Sequence, residues 1–174
     1  HSDMKPSGTF ECSDTLINQL QHNIVWGLKG NFLDVPTDCP QRDERLGWTG
    51  DAQVFAPTAC FNMNAATFYR KWLKDLATDQ AEDGMVPNVI PDVLGGGGAT
   101  GWADAGVVIP WVVYQYYGDT TVLENQYESM KKWIGFMEEH AGDDYIWTDD
   151  YHYGDWLSFD DSRSDYMGAY TTKD

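Results

Sequence analysis

The sequence is short of positive charge. Lys and Arg total 11 against 28 Asp and Glu, for a net charge of −17. So negative a chain repels phosphate backbones and anionic bilayers, which argues against nucleic acid and against a membrane as partners. Cysteine is scarce too. Cys12, Cys39 and Cys60 are an odd number, form no CxxC, and have no histidine at zinc-ligand spacing. No disulfide framework and no metal site is therefore expected, only free thiols. No apolar run is long enough to span a bilayer, and the opening residues do not read as a signal peptide. The run Gly95–Gly98 lacks the GK[ST] ending and the strand-then-helix setting of a phosphate loop, so it reads as a flexible loop. Nothing in the sequence calls for a cofactor.

What the chain has in quantity is aromatic surface. Aromatics make up 14%, with 8 Trp and 10 Tyr, within a hydrophobic content of 42% over 174 residues. That suits one globular domain with a fair core. Indole and phenol rings present a flat apolar face with a polar edge, which suits the C–H face of a sugar as well as an ordinary core. A neutral ligand fits the charge better than an anion.

Apolar spacing predicts helices and little else. Residues 1–12 read as an irregular lead-in. Ser13 or Asp14 caps a helix over 14–28, with Leu16, Ile17, Leu20, Ile24 and Leu28 as its inward stripe and Gly30 ending it. A long loop over 31–50 follows, of the length that usually carries function. Asp51 is expected to cap a second helix to about 62, kinked or shortened at Pro57. Asn64 caps a third over 65–81, with Phe68, Trp72, Leu73 and Leu76 inward. Residues 103–117 read as a helix apolar on nearly all sides and so buried, closed by Gly118. Thr120 caps an amphipathic helix over 121–140. Tyr145–Tyr153 reads as a short hairpin turning at Asp149-Asp150, and a sixth helix is expected to begin near Gly168.

A repeat runs through this layout. Trp48, Trp102 and Trp156 fall at intervals of 54 residues, each with a glycine just before it and an aspartate close by: Gly47 and Asp51, Gly101 and Asp104, Gly154 and Asp155. One helical pair per unit is the signature of hairpins stacked in an array or ring, with the Trp-bearing loops at one mouth.

The densest chemistry lies at residues 38–51, DCPQRDERLGWTGD. Four carboxylates (Asp38, Asp43, Glu44, Asp51), two arginines (Arg42, Arg45) and Trp48 share this stretch. A solvated salt-bridged turn would account for the charges, but not for a tryptophan set between Gly47 and Gly50. A sugar site accounts for both. One carboxylic acid protonates a departing oxygen, other charged groups hold hydroxyls, and an aromatic face covers the ring. The acid must be protonated near neutrality, through burial or neighbouring carboxylates. Asp38, Asp43 and Asp51 push that way, Arg42 and Arg45 the other.

DCPQRDERLGWTGD, together with GWADAG (101–106) and YGDWL (153–157), resembles the motifs of bacterial and fungal α-L-rhamnosidases, inverting glycoside hydrolases with an (α/α)6-barrel catalytic domain. The resemblance covers roughly residues 13–174. It implies an all-α fold, a partial (α/α)6 barrel of five to six helices forming the first half of the catalytic domain. Through the resemblance, Glu44 matches the general acid. Asp38, Arg42 and Asp51 match groups that hold rhamnose hydroxyls, and Trp48 one that lines the pocket. Trp102 and Trp156 match further pocket aromatics on their local motifs, with Asp104 and Asp155 as weaker substrate contacts. The implied partner is a rhamnose-containing glycoside, and cytoplasm, periplasm and secretion all remain compatible with the sequence.

An inverting enzyme needs a second carboxylate, and in the family it comes from a glutamate later in the barrel. The chain alone is therefore expected not to turn over substrate. A half-ring also leaves the apolar faces of inner helices open, so self-association is expected. Another (α/α)-barrel carbohydrate enzyme, or a non-catalytic sugar-binding relative, shares most of these features. A calcium or magnesium module on the acidic segment Asp143–Asp165 lacks the spacing of a calcium loop. His152, beside Tyr151 and Tyr153, reads as a satisfied structural histidine, with a place at the border of the pocket as the alternative.

Overall fold

The structure is a computed structural model that describes residues 2–154. Among the described residues there are five α-helices and no strand of a sheet: α1 (Thr15–Asn31), α2 (Thr49–Asn62), α3 (Ala66–Asp79), α4 (Ala105–Tyr117) and α5 (Thr120–Ala141). A 3-10 turn, Gly142–Asp144, follows α5.

Central to the fold is α4, which packs against α2, α3 and α5. Ile109, Val112 and Val113 face the shared core, where they meet Tyr69, Trp72, Leu73 and Leu76 of α3 and Trp133 and Phe136 of α5. Small residues let the helices approach: Ala52, Ala56 and Ala59 line the buried side of α2. Gly118 closes α4 in the left-handed region, φ 64°, where a side chain would be strained. The Trp72 indole N–H is satisfied by the Ile90 carbonyl at 3.2 Å, so this large side chain is buried without an orphaned donor.

Several expectations need correcting. The inward stripe on α1 is mostly outward: Leu16 is 78% and Leu20 58% exposed, and only Leu28 of that helix is fully buried. Helical periodicity marks an apolar face, but not what covers it. Gly30 does not stop α1, which runs to Asn31, although Asp14 does cap it, accepting from the Leu16 and Ile17 N–H groups. Trp48, not Asp51, is the N-cap residue of α2, and Asp51 stands in the first turn, where a carboxylate complements the helix dipole. Ala65 and Asp119, not Asn64 and Thr120, precede α3 and α5. Both α2 and α4 continue through Pro57 and Pro110. One face of α4 is open, with Val108, Trp111 and Tyr116 exposed.

The hairpin expected at 145–153 is not formed; this segment is irregular, and Asp150 takes φ 69°. Gly97 and Gly98 are not a loose loop either. Gly98 donates to the Val86 carbonyl at 3.0 Å, and a Cβ on Gly97 would lie 2.4 Å from that same oxygen. The helix expected near Gly168 lies outside the described residues, as do Asp155 and Trp156.

Candidate active site

The site is built on a loop that closes on itself. Asp38 and Leu46 bond twice: the Asp38 N–H donates to the Leu46 carbonyl, and the Leu46 N–H donates to Asp38 Oδ1, both at 3.0 Å. Between them the chain turns through Arg45 at φ 49°, whose Nε bonds back to the Arg42 carbonyl at 3.0 Å. Arg42 then braces two carboxylates, donating from Nη2 to Asp38 and from Nε to Glu44, each at 2.9 Å. The second Glu44 oxygen accepts the Trp48 indole N–H at 2.7 Å. Each Glu44 oxygen thus has a donor of its own, and the acid, the arginine and the indole hold one another in place.

A second segment fastens this loop to the core. Trp48 bridges Val89, the Thr49 N–H and hydroxyl both donate to the Asn88 carbonyl at 2.9 Å, and the Ile90 N–H donates to Gly47 at 2.8 Å. The approach is so close that a Cβ on Gly47 would lie 2.1 Å from the Ile90 oxygen. The glycines either side of Trp48 therefore have definite jobs. Gly47 admits the 88–90 segment, and Gly50 admits the Trp102 indole, which a Cβ there would meet at 2.7 Å.

Trp102 arrives from the turn before α4. Asp104 shapes that turn, accepting the Gly101 N–H at 2.8 Å with one oxygen and the Trp133 indole N–H at 2.9 Å with the other. Asp51 and Asp104, paired by the sequence repeat, thus hold different places. Asp51 lines the cavity, whereas Asp104 is occupied in supporting Trp102 and is absent from the cavity wall.

The result is a cavity of about 430 Å³ lined by Asp38, Arg42, Glu44, Trp48, Asp51, Trp102, Tyr151 and Tyr153. Six of these were expected from the sequence. Tyr151 and Tyr153 were not, although Tyr153 opens one of the recognised motifs. Tyr153 packs 4.4 Å from Trp102 and edge-on to Trp48 at 6.0 Å. A larger, mainly apolar hollow of about 560 Å³ between α1 and α2 shares Asp38, Asp51 and Trp102 with it.

Two carboxyls in the cavity are tuned in opposite directions. Burial pushes Asp38 up, but the Cys39 thiol, the Leu46 N–H and Arg42 outweigh it and hold it below the ordinary range. Asp51 is pushed above the ordinary range, first by desolvation among its neighbours, then by the charges of Asp38 and Glu44. The ligand atoms of Asp38, Cys39 and Glu44 lie within 4.8 Å of one another, but the Arg42 guanidinium already supplies the cation there. In the acidic segment after α5, Asp150 accepts the Trp147 indole N–H at 3.0 Å instead of joining a cluster.

Paired helices with an acidic, arginine-braced and aromatic-walled cavity at their loop ends define a helical-hairpin protein with a polar, ring-lined site. Comparison narrows this. Residues 5–173 match the model of the bacterial alpha-L-rhamnosidase 6 hairpin glycosidase domain, and the chain belongs to that family. It is 48% identical over 144 residues to an alpha-L-rhamnosidase of Formosa agariphila, covering 82% of this chain and 16% of that protein. Among solved structures, the alpha-L-rhamnosidase of Streptomyces avermitilis complexed with L-rhamnose is 48% identical, with a TM-score of 0.85 over 90% of this chain and 15% of that one. The alpha-L-rhamnosidase of Dictyoglumus thermophilum is 47% identical, with a TM-score of 0.84 over 90% of this chain and 18% of that one. The chain spans between 15% and 17% of the length of the curated relatives it matches. The helical-hairpin fold expected from the sequence is thus the fold of its relatives.

Proposed function

We propose that the chain supplies the acid-bearing part of a glycoside hydrolase that releases terminal α-L-rhamnose with inversion. The observation that carries this is the Glu44 carboxylate, braced by Arg42 and Trp48 at the wall of a cavity that also holds Asp38, Asp51 and Trp102. Glu44 is the general acid toward the glycosidic oxygen. Asp38, ionised, and Arg42 grip ring hydroxyls, and the indoles cover the C–H face and the methyl group of the deoxy sugar. A base must stand about 6.5–9.5 Å from the acid with a water between them. We assign it outside residues 1–174, so this chain alone binds the sugar without cleaving it.

Asp51 favours a second assignment, because a carboxyl pushed upward is also a candidate proton donor. In the first assignment Asp51→Asn weakens L-rhamnose binding while Glu44→Gln leaves it nearly intact, because a hydroxyl grip is lost in one case and a proton in the other.

The test is an NMR titration of the chain with L-rhamnose and, separately, D-glucuronate. L-rhamnose is expected to shift the indole N–H signals of Trp48 and Trp102, and the anionic sugar to leave them unmoved. No shift with L-rhamnose refutes the sugar site. Hydrolysis of p-nitrophenyl α-L-rhamnoside by this chain, lost in Glu44→Gln, refutes the placing of the base elsewhere.

A further inference from the structure

One imidazole holds the irregular segment after α5 against the loop that carries Trp102. His152 is buried, and its Nδ1 lies 3.1 Å from the Thr100 backbone nitrogen and 3.0 Å from the Thr100 hydroxyl. A backbone N–H can only donate. Nδ1 must therefore be the bare, accepting nitrogen, and the ring hydrogen belongs on Nε2. Nε2 is itself buried and has no hydrogen-bond partner among the described residues. The Trp147 ring meets the imidazole edge-on at 4.6 Å and 87°, which blocks its rotation from one side.

The position of this contact gives it consequence. Thr100 stands two residues before Trp102, and Tyr153 directly follows His152. The histidine thus ties the loop bearing one indole to the segment bearing the tyrosine. Tyr153 lies against Trp102 and Trp48, and its hydroxyl accepts from Asn88 Nδ2 at 3.4 Å, the long limit for such a bond. Ring packing of this kind tolerates sliding. The two shorter contacts at Thr100 set the height and rotation of the imidazole, and with it the path of the next residue.

We propose that His152 is a positioning residue: its neutral imidazole, latched on Thr100 through Nδ1, sets Tyr153 between Trp48 and Trp102 as a third aromatic wall of the cavity. This deepens the sugar-site reading and rests on it for the ligand, but not for the latch.

NMR on the whole 174-residue chain tests it. Long-range ¹⁵N–¹H spectra are expected to place the His152 hydrogen on Nε2, and nuclear Overhauser contacts to join the Tyr153 and Trp102 rings. In His152→Asn, whose Oδ1 can replace Nδ1 as acceptor, those contacts persist. In His152→Leu they vanish while the core methyls of Leu73, Leu76 and Ile109 keep their positions, and L-rhamnose binds about ten-fold more weakly. An Nδ1–H tautomer or a charged ring overturns the proposal, as does His152→Leu with the ring contacts intact. Should the leucine variant fail to fold, loss of the contacts in His152→Asn overturns it and their retention supports it. Intact ring contacts in a chain that ignores L-rhamnose would refute the sugar reading and leave the latch standing.

Discussion

Gly50 and Trp102 share a surface that only glycine leaves open: a Cβ at Gly50 would lie 2.7 Å from the indole Nε1. The start of α2 and the turn before α4 meet at this point, and the indole is one wall of the cavity. Gly50→Ala is expected to push Trp102 out of place while the helices stay folded, since the clash falls on a side chain and not on backbone. Far-UV circular dichroism should be unchanged, and the Trp102 indole N–H signal should move and lose its response to L-rhamnose. A variant with an unmoved Trp102 signal would show that the turn yields instead.

Two tyrosines on facing helices, Tyr69 buried and Tyr117 half-buried, should respond oppositely to loss of the hydroxyl. Tyr117 Oη accepts the Ala65 N–H at 2.9 Å and donates to the Met63 carbonyl at 3.0 Å, closing the connection between α2 and α3. Tyr117→Phe strands that N–H and is expected to cost about 1–3 kcal/mol. Tyr69 is fully buried, and its hydroxyl has no hydrogen-bond partner among the described residues. Tyr69→Phe removes an unmet polar group and is expected to be neutral or stabilising by about 1 kcal/mol. Urea unfolding of the two variants, compared at equal m-values, checks both signs.

The raised Asp51 carboxyl predicts a particular pH dependence. Its folded-state pKa lies above the unfolded value, so the native state takes up a proton first as pH falls, and this group stabilises the fold progressively on acidification. At neutral pH the ionised form is a burden. Asp51→Asn is therefore expected to raise Tm at pH 7, with a gain that shrinks as the pH falls through the folded and then the unfolded pKa. A gain that is constant from neutral to acid would contradict this. Asp38, held low, acts the other way: its contribution is present above the unfolded pKa and is lost as pH falls through its folded pKa.

Outward apolar side chains on α1 and α2 predict association of this chain in solution. Leu16 and Leu20 of α1, and Val54 and Phe61 of α2, are all more than half exposed. The net charge of −17 opposes contact between copies, so raising salt should strengthen it. Sedimentation equilibrium at high protein concentration is expected to report a mass above the monomer that increases with NaCl, and Leu16→Ser with Leu20→Ser to restore the monomer. A monomer at every salt concentration would remove the prediction.

Helix existence was legible from apolar spacing because α3 and α5 each bury one stripe, Trp72, Leu73 and Leu76 or Val122, Trp133 and Phe136. Burial of α1 was not. Its stripe reads the same whether or not a partner covers it, and only the packing around Leu28 distinguishes the two cases. In the site, the stretch 38–51 was legible because its groups brace one another locally, as Arg42 does Asp38 and Glu44. The place of Asp104 was not legible, because Gly-Trp-Asp proximity in sequence says nothing of direction, and its oxygens turn to Gly101 and Trp133. Tyr151 was hidden for the opposite reason. It reaches the cavity through a segment with no periodic pattern, placed by contacts some fifty residues away in the chain, such as that between His152 and Thr100.

The two hydrogen bonds between Asp38 and Leu46, with the Arg42 contacts inside them, make Asp38, Arg42 and Glu44 a single cassette held together by its own local bonds. The aromatic panels come from three separate places in the chain. Substitutions near α4 or after α5 can therefore reshape the ring-lined walls of the cavity while the charged cassette keeps its own bonds.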